Sequence, residues 1–449
     1  MHRLLAALMV ALALAGCATE SEGPAEIQEP EPEPIPIDDA AAILASGGRV
    51  ANLRLLSDGA TGGEEADACG DRIAVDRGST ITIHQMAFEA DGTLSITELS
   101  SFAGNGPKDV KWSDDCQFLF TGNDAQLAQT PLDPVTSMVQ TGGMDAYHIT
   151  EEAEAHHIGY FPVGPLRGPH MVFYLQQDDG TELVFGANAD VSIQEFDRAA
   201  GTLTERSRYT PNVLTEVNRD PQVIDAYYQF YTHDMFAMED PVTDQTLLYT
   251  ASWDAGVHVV DVTDPSNPVQ LGIWNDFGGD ETGNLHTVAT EWIGDRRITV
   301  GSVEVGFEIV GGTPYLTGTE RSVLYVWDTT DPANIQLLSV WENPDGIGPG
   351  QSGIALGAVT GDEVMSTHNL QLEQGRVYMA HYGLGVWVLD VSTPETQANP
   401  AILAVDLDAG NLWDTIVHQG AILTSGSTGL RGYHFAPDVL GPGGIESRA

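Results

Sequence analysis

The sequence GVHVVDV at residues 256–262, followed by TDPSNP at 263–268, is the stretch that decides the fold. β-Branched residues dominate it, an aspartate closes it and a proline turn follows, which predicts a buried strand and then a sharp turn. Proline fits there because a turn needs no amide donor. The pattern recurs as GVWVLDV at 385–391, followed by STP, and as SVLYVWD at 322–328, followed by TTDP. These copies predict a repeat architecture.

Four weaker copies lie at residues 79–84, 124–127, 190–197 and 429–433. Two further short strand-like segments precede most copies. Beyond the first forty residues, no stretch of any length has the 3.6-residue hydrophobic periodicity of a helix. Four short antiparallel strands repeated seven times are typical of a β-propeller, in which stacked blades bury each other's faces. We therefore predict an all-β, seven-bladed β-propeller over residues 48–435, followed by a C-terminal tail at 436–449.

The seventh repeat lacks a fourth strand, because FAPDVLGPGG follows its third. At the start of the domain, ANLRLLS at 51–57 matches ANIQLLS at 333–339, which is the outer strand of a clear blade. We predict that residues 50–57 supply the outer strand of blade seven. The last blade is then closed by an N-terminal strand, which hides an open sheet edge.

The two strongest copies, GVHVVDVTDPSNP and GVWVLDVSTP, resemble the LVIVD repeat of bacterial surface proteins. The blade pattern covers nearly all of residues 48–435. The resemblance implies a propeller and little about chemistry.

Residues 1–16, MHRLLAALMVALALAG, have a basic start, an apolar run and small residues at the end, as in a secretory signal peptide. The sequence LAGC at 14–17 resembles the lipobox of bacterial lipoproteins, which implies cleavage before Cys17 and lipidation of that residue. Ala18 then favours the outer membrane, facing the periplasm or the cell surface. The alternative is an ordinary exported protein with an incidental cysteine. Residues 17–47 are predicted to form an acidic, proline-rich tether.

The chain has 449 residues, with 65 acidic and 18 basic side chains and a formal net charge of -47. Such a surface repels phosphate, which excludes nucleic acid as a partner and leaves the lipid anchor as the means of membrane contact. Outside the tether the acids are spread over many turns, so the charge indicates a solvating surface and suits a salty environment. We expect a monomer.

Cys69 and Cys116 precede the second strands of blades one and two. An exported protein meets an oxidising compartment, so the two are candidates for a disulfide. Two separate thiols remain the alternative, because a bridge needs Cα atoms within about 7 Å.

No nucleophile elbow, phosphate-binding loop, zinc-protease motif or Cys/His zinc spacing is present, so no catalytic residue is assigned. One polar feature recurs: a histidine begins the first strand of four successive blades, at His170, His233, His286 and His368. First strands line the central channel, so these imidazoles are candidate ligands for a transition metal on the axis. The alternative is structural, with each ring bonded to the neighbouring blade.

Other loops carry weaker signals. NDFGGDE at 275–281 has enough oxygen atoms for a Ca²⁺ ion but lacks the usual ligand spacing. Residues 130–166 are interpreted as a surface insertion, and residues 302–320 and 343–365 as recognition loops flanking blade five.

The sequence therefore favours a propeller lipoprotein of the cell envelope that acts as a binding or scaffold module for a protein or carbohydrate. The alternative is a metal-dependent enzyme, an oxidoreductase or a hydrolase, which uses the four histidines at the axis. Rings that point to a common centre would favour the enzyme, and rings turned into the blade interfaces would favour the scaffold.

Overall fold

The computed structural model describes residues 39–123, 142–163, 168–188, 190–211, 232–277, 283–304, 306–310, 313–317, 323–344, 366–435, 439–441 and 444–446. The predicted signal peptide, Cys17 and most of the predicted tether lie outside these residues. Within the tether region, a short helix, α1 (Ala40–Ala45), is capped by Asp39, whose side chain accepts from Ala42 N at 2.9 Å. Ala40 is buried against blade six, so the last tether residues belong to the folded domain.

The repeats fold as seven small antiparallel sheets, which confirms the seven-bladed β-propeller. Two strands precede the first complete blade, β1 (Val50–Ala51) and β2 (Leu53–Ala60). From the axis outward, blade one consists of β3 (Ala66–Cys69), β4 (Arg72–Asp76), β5 (Thr80–Phe88) and β6 (Leu94–Ala103). Blade two consists of β7 (Asp109–Trp112), β8 (Phe118–Asn123), β9 (Gly143–Ile149) and β10 (Ala155–Pro162). Blade three consists of β11 (Met171–Gln176), β12 (Glu182–Asn188), β13 (Asp190–Asp197) and β14 (Thr202–Tyr209).

The later blades follow the same order, with additions in blades five and six. Their strands are β15 (Asp234–Glu239), β16 (Thr246–Ser252), β17 (Gly256–Asp261) and β18 (Val269–Trp274) in blade four; β19 (Leu285–Ile293), β20 (Arg296–Val303), β23 (Val323–Asp328) and β24 (Gln336–Glu342) in blade five; β25 (Thr367–Glu373), β26 (Arg376–His381), β27 (Gly385–Asp390) and β28 (Ala401–Asp406) in blade six; β29 (Leu412–His418), β30 (Ala421–Gly426) and β31 (Leu430–Phe435) in blade seven.

Besides α1 and the two short 3-10 helices Pro332–Asn334 and Leu407–Ala409, three further short elements of the described residues lie outside this pattern. They are the hairpin β21 (Gly306–Val310) and β22 (Thr313–Thr317), the helix α2 (Pro394–Ala398), and the hairpin β32 (Val439–Gly441) and β33 (Gly444–Glu446) in the region predicted as a tail. Among the described residues, none of the helices has the length and apolar character needed to cross a membrane.

The N-terminal strand closes the ring, as predicted, with a shift in its bounds. β2 pairs antiparallel with β31, with Leu53 opposite Phe435 and Leu55 opposite Tyr433. The residues that close blade seven are therefore Leu53–Ala60 rather than 50–57. Residues 50 and 51 instead add a fifth strand, β1, to blade six, where Val50 pairs with Asp406.

Blade two differs from the sequence prediction. Its third strand is β9 (Gly143–Ile149), which pairs with β8 and β10, whereas the predicted copy at 124–127 lies outside the described residues. The interpretation of 130–166 as a surface insertion was wrong, because β9 and β10 fall within it. The strand was missed because GMDAYHI has no Asp-Pro turn after it.

The core lies between adjacent blades. One apolar cluster combines Phe185 and Ile193 of blade three with Leu248 and Val260 of blade four, all fully buried. Burial of each such side chain stabilises the fold by about 1.5–3 kcal/mol. A single blade has no neighbour to cover its faces, so the blades are stable only as a ring.

Aspartates on the innermost strands connect the blades around the axis. Asp109 accepts a hydrogen bond from Val110 N (2.8 Å) and another from Val172 N (2.8 Å) in the next blade. Asp234 and Asp414 each accept from their own following amide and from a donor in the next blade. This repeated contact fixes the rotation of each innermost strand and hence the direction of the side chains at its start.

Candidate metal centre

The four predicted histidines lie together at one end of the propeller axis. Each occupies the start of an innermost strand: His170 and His233 directly precede β11 and β15, and His286 and His368 are the second residues of β19 and β25. Their rings form a continuous arc. The centroid separations are 4.5 Å for His170–His233, 3.9 Å for His233–His286 and 4.2 Å for His286–His368.

A carboxylate that the sequence analysis missed completes the cluster. Glu304 directly follows β20, and its Oε2 lies 3.4 Å from Nε2 of His286, while its Oε1 lies 4.0 Å from Nε2 of His368. One ligand atom each from His233, His286 and Glu304 all lie within 4.8 Å of one another. Two of the predicted histidines thus share a three-residue group with Glu304, and the other two flank it.

Tyr382 orients the carboxylate. Its hydroxyl donates to Oε1 of Glu304 at 2.9 Å, and its ring lies 4.7 Å from that of His368. Tyr382 directly follows β26, so it occupies in blade six the position that Glu304 occupies in blade five. With Oε1 engaged by the hydroxyl, Oε2 is the oxygen that faces His286.

The hydrogen bonds of the rings argue against a purely structural role. His286 is fully buried, and within the described part of the chain neither ring nitrogen has a hydrogen-bond partner, although Oε2 of Glu304 lies 3.4 Å from Nε2. A buried polar atom without a partner costs about 1–3 kcal/mol, so structural histidines are normally bonded. His368 does donate from Nδ1 to Trp413 O of blade seven at 2.5 Å, which leaves Nε2 facing Glu304. A backbone partner on one ring nitrogen is common in metal-binding histidines.

Burial sets the protonation of the cluster. It lowers the pKa of His233 and His286 well below the usual range and that of His368 to about 3, so these imidazoles are neutral at pH 7. Neutral imidazole is the form that binds a metal. Burial also raises the pKa of Glu304 to about 7, opposed by the hydrogen bond from Tyr382. The same desolvation raises the pKa of Tyr382 well above its usual value, so its hydroxyl remains a donor.

The remaining candidates are separate from this cluster. Cys69 and Cys116 form a disulfide between blades one and two, with Cα atoms 5.5 Å apart. Cys17 lies outside the described residues, as does part of the candidate Ca²⁺ loop at 275–281. The structure therefore brings the four histidines together and places the disulfide elsewhere.

No protein-family model matches the sequence, and no curated protein is similar to it. Solved structures share its fold. They include the periplasmic gluconolactonase PpgL of Pseudomonas aeruginosa (12% identity, TM-score 0.51, covering 82% of this chain and 91% of that one), the WD40 repeats of RRP9 (10%, 0.52, 85% and 96%) and Sqt1 of Saccharomyces cerevisiae (10%, 0.50, 82% and 81%). At these identities the similarity establishes the propeller fold and nothing about chemistry.

Proposed function

We propose that this protein is a metal-dependent propeller enzyme that binds one transition-metal ion through His233, His286 and Glu304. The observation that carries the proposal is the convergence of their donor atoms within 4.8 Å around the fully buried ring of His286, whose nitrogens have no hydrogen-bond partner among the described residues. The four-histidine metal site was the alternative function in the sequence analysis. The geometry favours it over the scaffold, because the four rings contact one another and two of them converge with Glu304, although His368 also bonds to blade seven through Nδ1.

The donor set fits such an ion. Metal–ligand bonds of about 2.0–2.2 Å place ligand atoms roughly 3–4 Å apart, so small movements of these side chains would complete the coordination. Imidazole with one carboxylate suits zinc, copper or iron. His368 offers Nε2 as a further donor, because its Nδ1 is held by Trp413 O. A metal with an open position supplies Lewis-acid or redox chemistry, and the identity of the metal decides between hydrolase and oxidoreductase.

The side chains around the ion have separable tasks. Glu304 contributes negative charge to a site whose imidazoles are neutral, and Tyr382 fixes the orientation of that carboxylate. The aspartate contacts between blades hold the innermost strands on which the histidines lie. His233 also packs edge-on against Trp253 of blade four, with ring centroids 6.1 Å apart.

The metal content of the wild-type protein tests this function. We expect protein purified without a tag to contain about one equivalent of zinc, copper or iron per chain, measured by elemental analysis. Chelation should lower the melting temperature, and returning the same metal should restore it, because a ligand that binds only the native state stabilises it. A metal-free protein whose melting temperature responds neither to chelator nor to added Zn²⁺, Cu²⁺ or Fe²⁺ would overturn the proposal.

We also propose that Cys17 anchors the propeller in the outer membrane, with residues 18–38 as a spacer; the lipobox-like LAGC sequence supports this. The scaffold role for a protein or carbohydrate partner and the membership in the LVIVD repeat group remain predictions from the sequence. An anchored enzyme of this kind would act on molecules that reach the cell envelope.

Replacement of Cys17 tests the anchor. We expect Cys17→Ala to move the protein from the membrane fraction to the soluble envelope fraction without changing its melting temperature, because the substitution lies outside the propeller. Ala18→Asp is the matched variant and should retain the lipid while shifting the protein to the inner membrane. An unchanged distribution of Cys17→Ala between the fractions would rule the anchor out.

A further inference from the structure

A cavity of about 280 Å³ lies on the axis next to the candidate metal centre. The innermost strands of all seven blades line it. Asp234, Thr287 and Asn369 contribute to its wall, and each directly follows one of the clustered histidines. Glu373, at the other end of β25, is exposed, so the cavity reaches solvent at the end away from the histidines.

The end of the cavity near the histidines has more carboxylates than it has cations. Asp67, Asp234 and Asp414 line it, and Lys111 is the one basic side chain among the lining residues of the described chain. Lys111 is engaged by Asp109, which lies behind the wall, with Nζ 2.9 Å from Oδ1. The three lining aspartates are held in place by backbone donors such as Trp112 N, which lies 2.7 Å from Oδ2 of Asp67.

Burial raises the pKa of Asp67 to about 6 and also raises that of Asp414, although the charge of Lys111 opposes both shifts. Behind them, burial and the neighbouring Asp414 raise the pKa of Glu65 well above its usual value. These shifts agree with the geometry, since burial together with more carboxylates than Lys111 alone can balance favours protonation.

Asn369 points independently to a ligand. It is 6% exposed and lines the cavity, and its Nδ2 donates to Oε2 of Glu65. Its Oδ1 is buried and accepts no hydrogen bond in the described part of the chain. A small rotation of the amide would present this oxygen to a donor in the cavity, such as an ammonium group, which would satisfy it and face the carboxylates at the same time.

The opposite part of the cavity is apolar. Phe173 and Phe236 line it with ring centroids 5.3 Å apart, and both rings are half-buried. Leu372 lies on the same strand as Asn369, three residues further along, which corresponds to about 10 Å. The cavity thus combines an anionic end beside the histidines with an apolar end of aromatic and aliphatic side chains.

We infer that this axial cavity binds a small organic cation, a primary amine with a short aromatic or aliphatic body. The ammonium group lies among Asp67, Asp414 and Asn369, and the apolar body lies against Phe173 and Phe236. This places the carbon next to the nitrogen nearest the candidate metal centre. That the amine is a substrate rests on the proposed function, whereas its binding does not.

An organic cation fits better than a bare inorganic ion. The cavity volume is many times that of a single ion, and half of the wall offers no oxygen ligand. The aspartate oxygens already accept backbone hydrogen bonds, so they are fixed in place rather than free to enclose a small ion. Aromatic faces also attract an organic cation.

The test is calorimetric titration with 2-phenylethylamine and its neutral analogue 2-phenylethanol, at fixed low ionic strength, on metal-loaded and on chelated protein. We expect the amine to bind at least tenfold more tightly than the alcohol to both forms. Asp67→Asn should weaken amine binding about tenfold and leave alcohol binding unchanged. Phe173→Leu should weaken both ligands by a similar factor.

Asp91→Asn, which removes an exposed acid from a turn of blade one, serves as the control and should leave both affinities unchanged. Asp414→Asn provides a second charge variant if Asp67→Asn has a lowered melting temperature. Equal binding of amine and alcohol, or Ca²⁺ displacing the amine at equal concentration, overturns the inference. Amine binding by a protein that never retains a metal would support the cavity and refute the metal-dependent function, so the two failures are distinguishable.

Discussion

Replacement of His286 by alanine should weaken binding of the transition metal at least a hundredfold, a loss of about 2.7 kcal/mol or more. His286 lies at the centre of the arc, in contact with the rings of His233 and His368 and 3.4 Å from Glu304. Its loss removes one of the three ligands of the group, and we expect Nε2 of His368, which lies 4.0 Å from Oε1 of Glu304, to replace it only poorly. Metal that raises the melting temperature of the wild-type protein should leave that of His286→Ala unchanged, which differential scanning calorimetry would show.

The same variant separates the metal role from a structural one. Because neither nitrogen of the buried His286 ring has a hydrogen-bond partner among the residues that the structure describes, the ring destabilises the metal-free protein, and its removal should leave the stability of that form little changed or raised. A structural histidine would instead cost the metal-free protein several kcal/mol when truncated. His156→Ala, an exposed histidine of blade two, is the control and should retain the full metal content. Retention of one equivalent of metal by His286→Ala would contradict the assignment.

The fold could be predicted from the sequence because the third strand of a blade has the most recognisable residue pattern. In GVHVVDV and GVWVLDV, the third strand of a blade is fully buried between two neighbours, and only β-branched and aromatic side chains fill that position well. Blade two departs from this rule: its third strand, GMDAYHI, ends without an Asp-Pro turn. Its position followed from the pairing with β8 and could not be read from the repeat.

The sequence indicated the histidines because the same residue type recurs at one position of the repeat. It did not indicate Glu304, because the other blades carry different residue types at the position equivalent to Glu304. The residues that directly follow the second strand are Trp253, Glu304 and Tyr382 in blades four, five and six. Antiparallel pairing places that position beside the start of the first strand, as Leu285 opposite Val303 shows. The repeat could therefore have indicated this second set of residues. Which of them contact the histidines depends on packing between blades.

Both sets of residues belong to blades three to six, while blades seven, one and two supply Asp414, Asp67 and Lys111 at the axis. This asymmetry explains why the residue type at the start of the first strand is not the same in every blade. A purely structural repeat would place similar residues in every blade, whereas a site on the axis needs different chemistry on its two sides.

Deletion of the residues before 61 should unfold the whole propeller rather than blade seven alone. β2 covers the last sheet: Leu56 is 7% exposed and packs with Leu430 and Ile416, while Arg431 Nε lies 3.0 Å from Asp58 Oδ1. Burial of Leu56 contributes about 1.5–3 kcal/mol, and each ladder hydrogen bond about 1 kcal/mol. Their sum is comparable with the 5–15 kcal/mol that stabilises a typical domain.

The matched pair is a chain starting at residue 39 and one starting at residue 61, since both lack the predicted signal peptide and the proposed lipidation site Cys17. We expect the first to unfold cooperatively and to bind metal, and the second to show no cooperative transition by circular dichroism. A peptide of residues 49–60 added to the second chain should restore the transition, because β2 joins β31 by antiparallel strand pairing, which a separate peptide can also make. If the chain from residue 61 melted like the chain from residue 39, the strand would be an accessory edge, and the metal centre would be supported by the innermost strands alone. We expect the opposite, because a propeller is stable only as a closed ring. Blades seven and one are in contact through the hydrogen bond from Ala66 N to Oδ2 of Asp414 (3.1 Å), and the histidines of blades three to six keep their positions only while that contact remains.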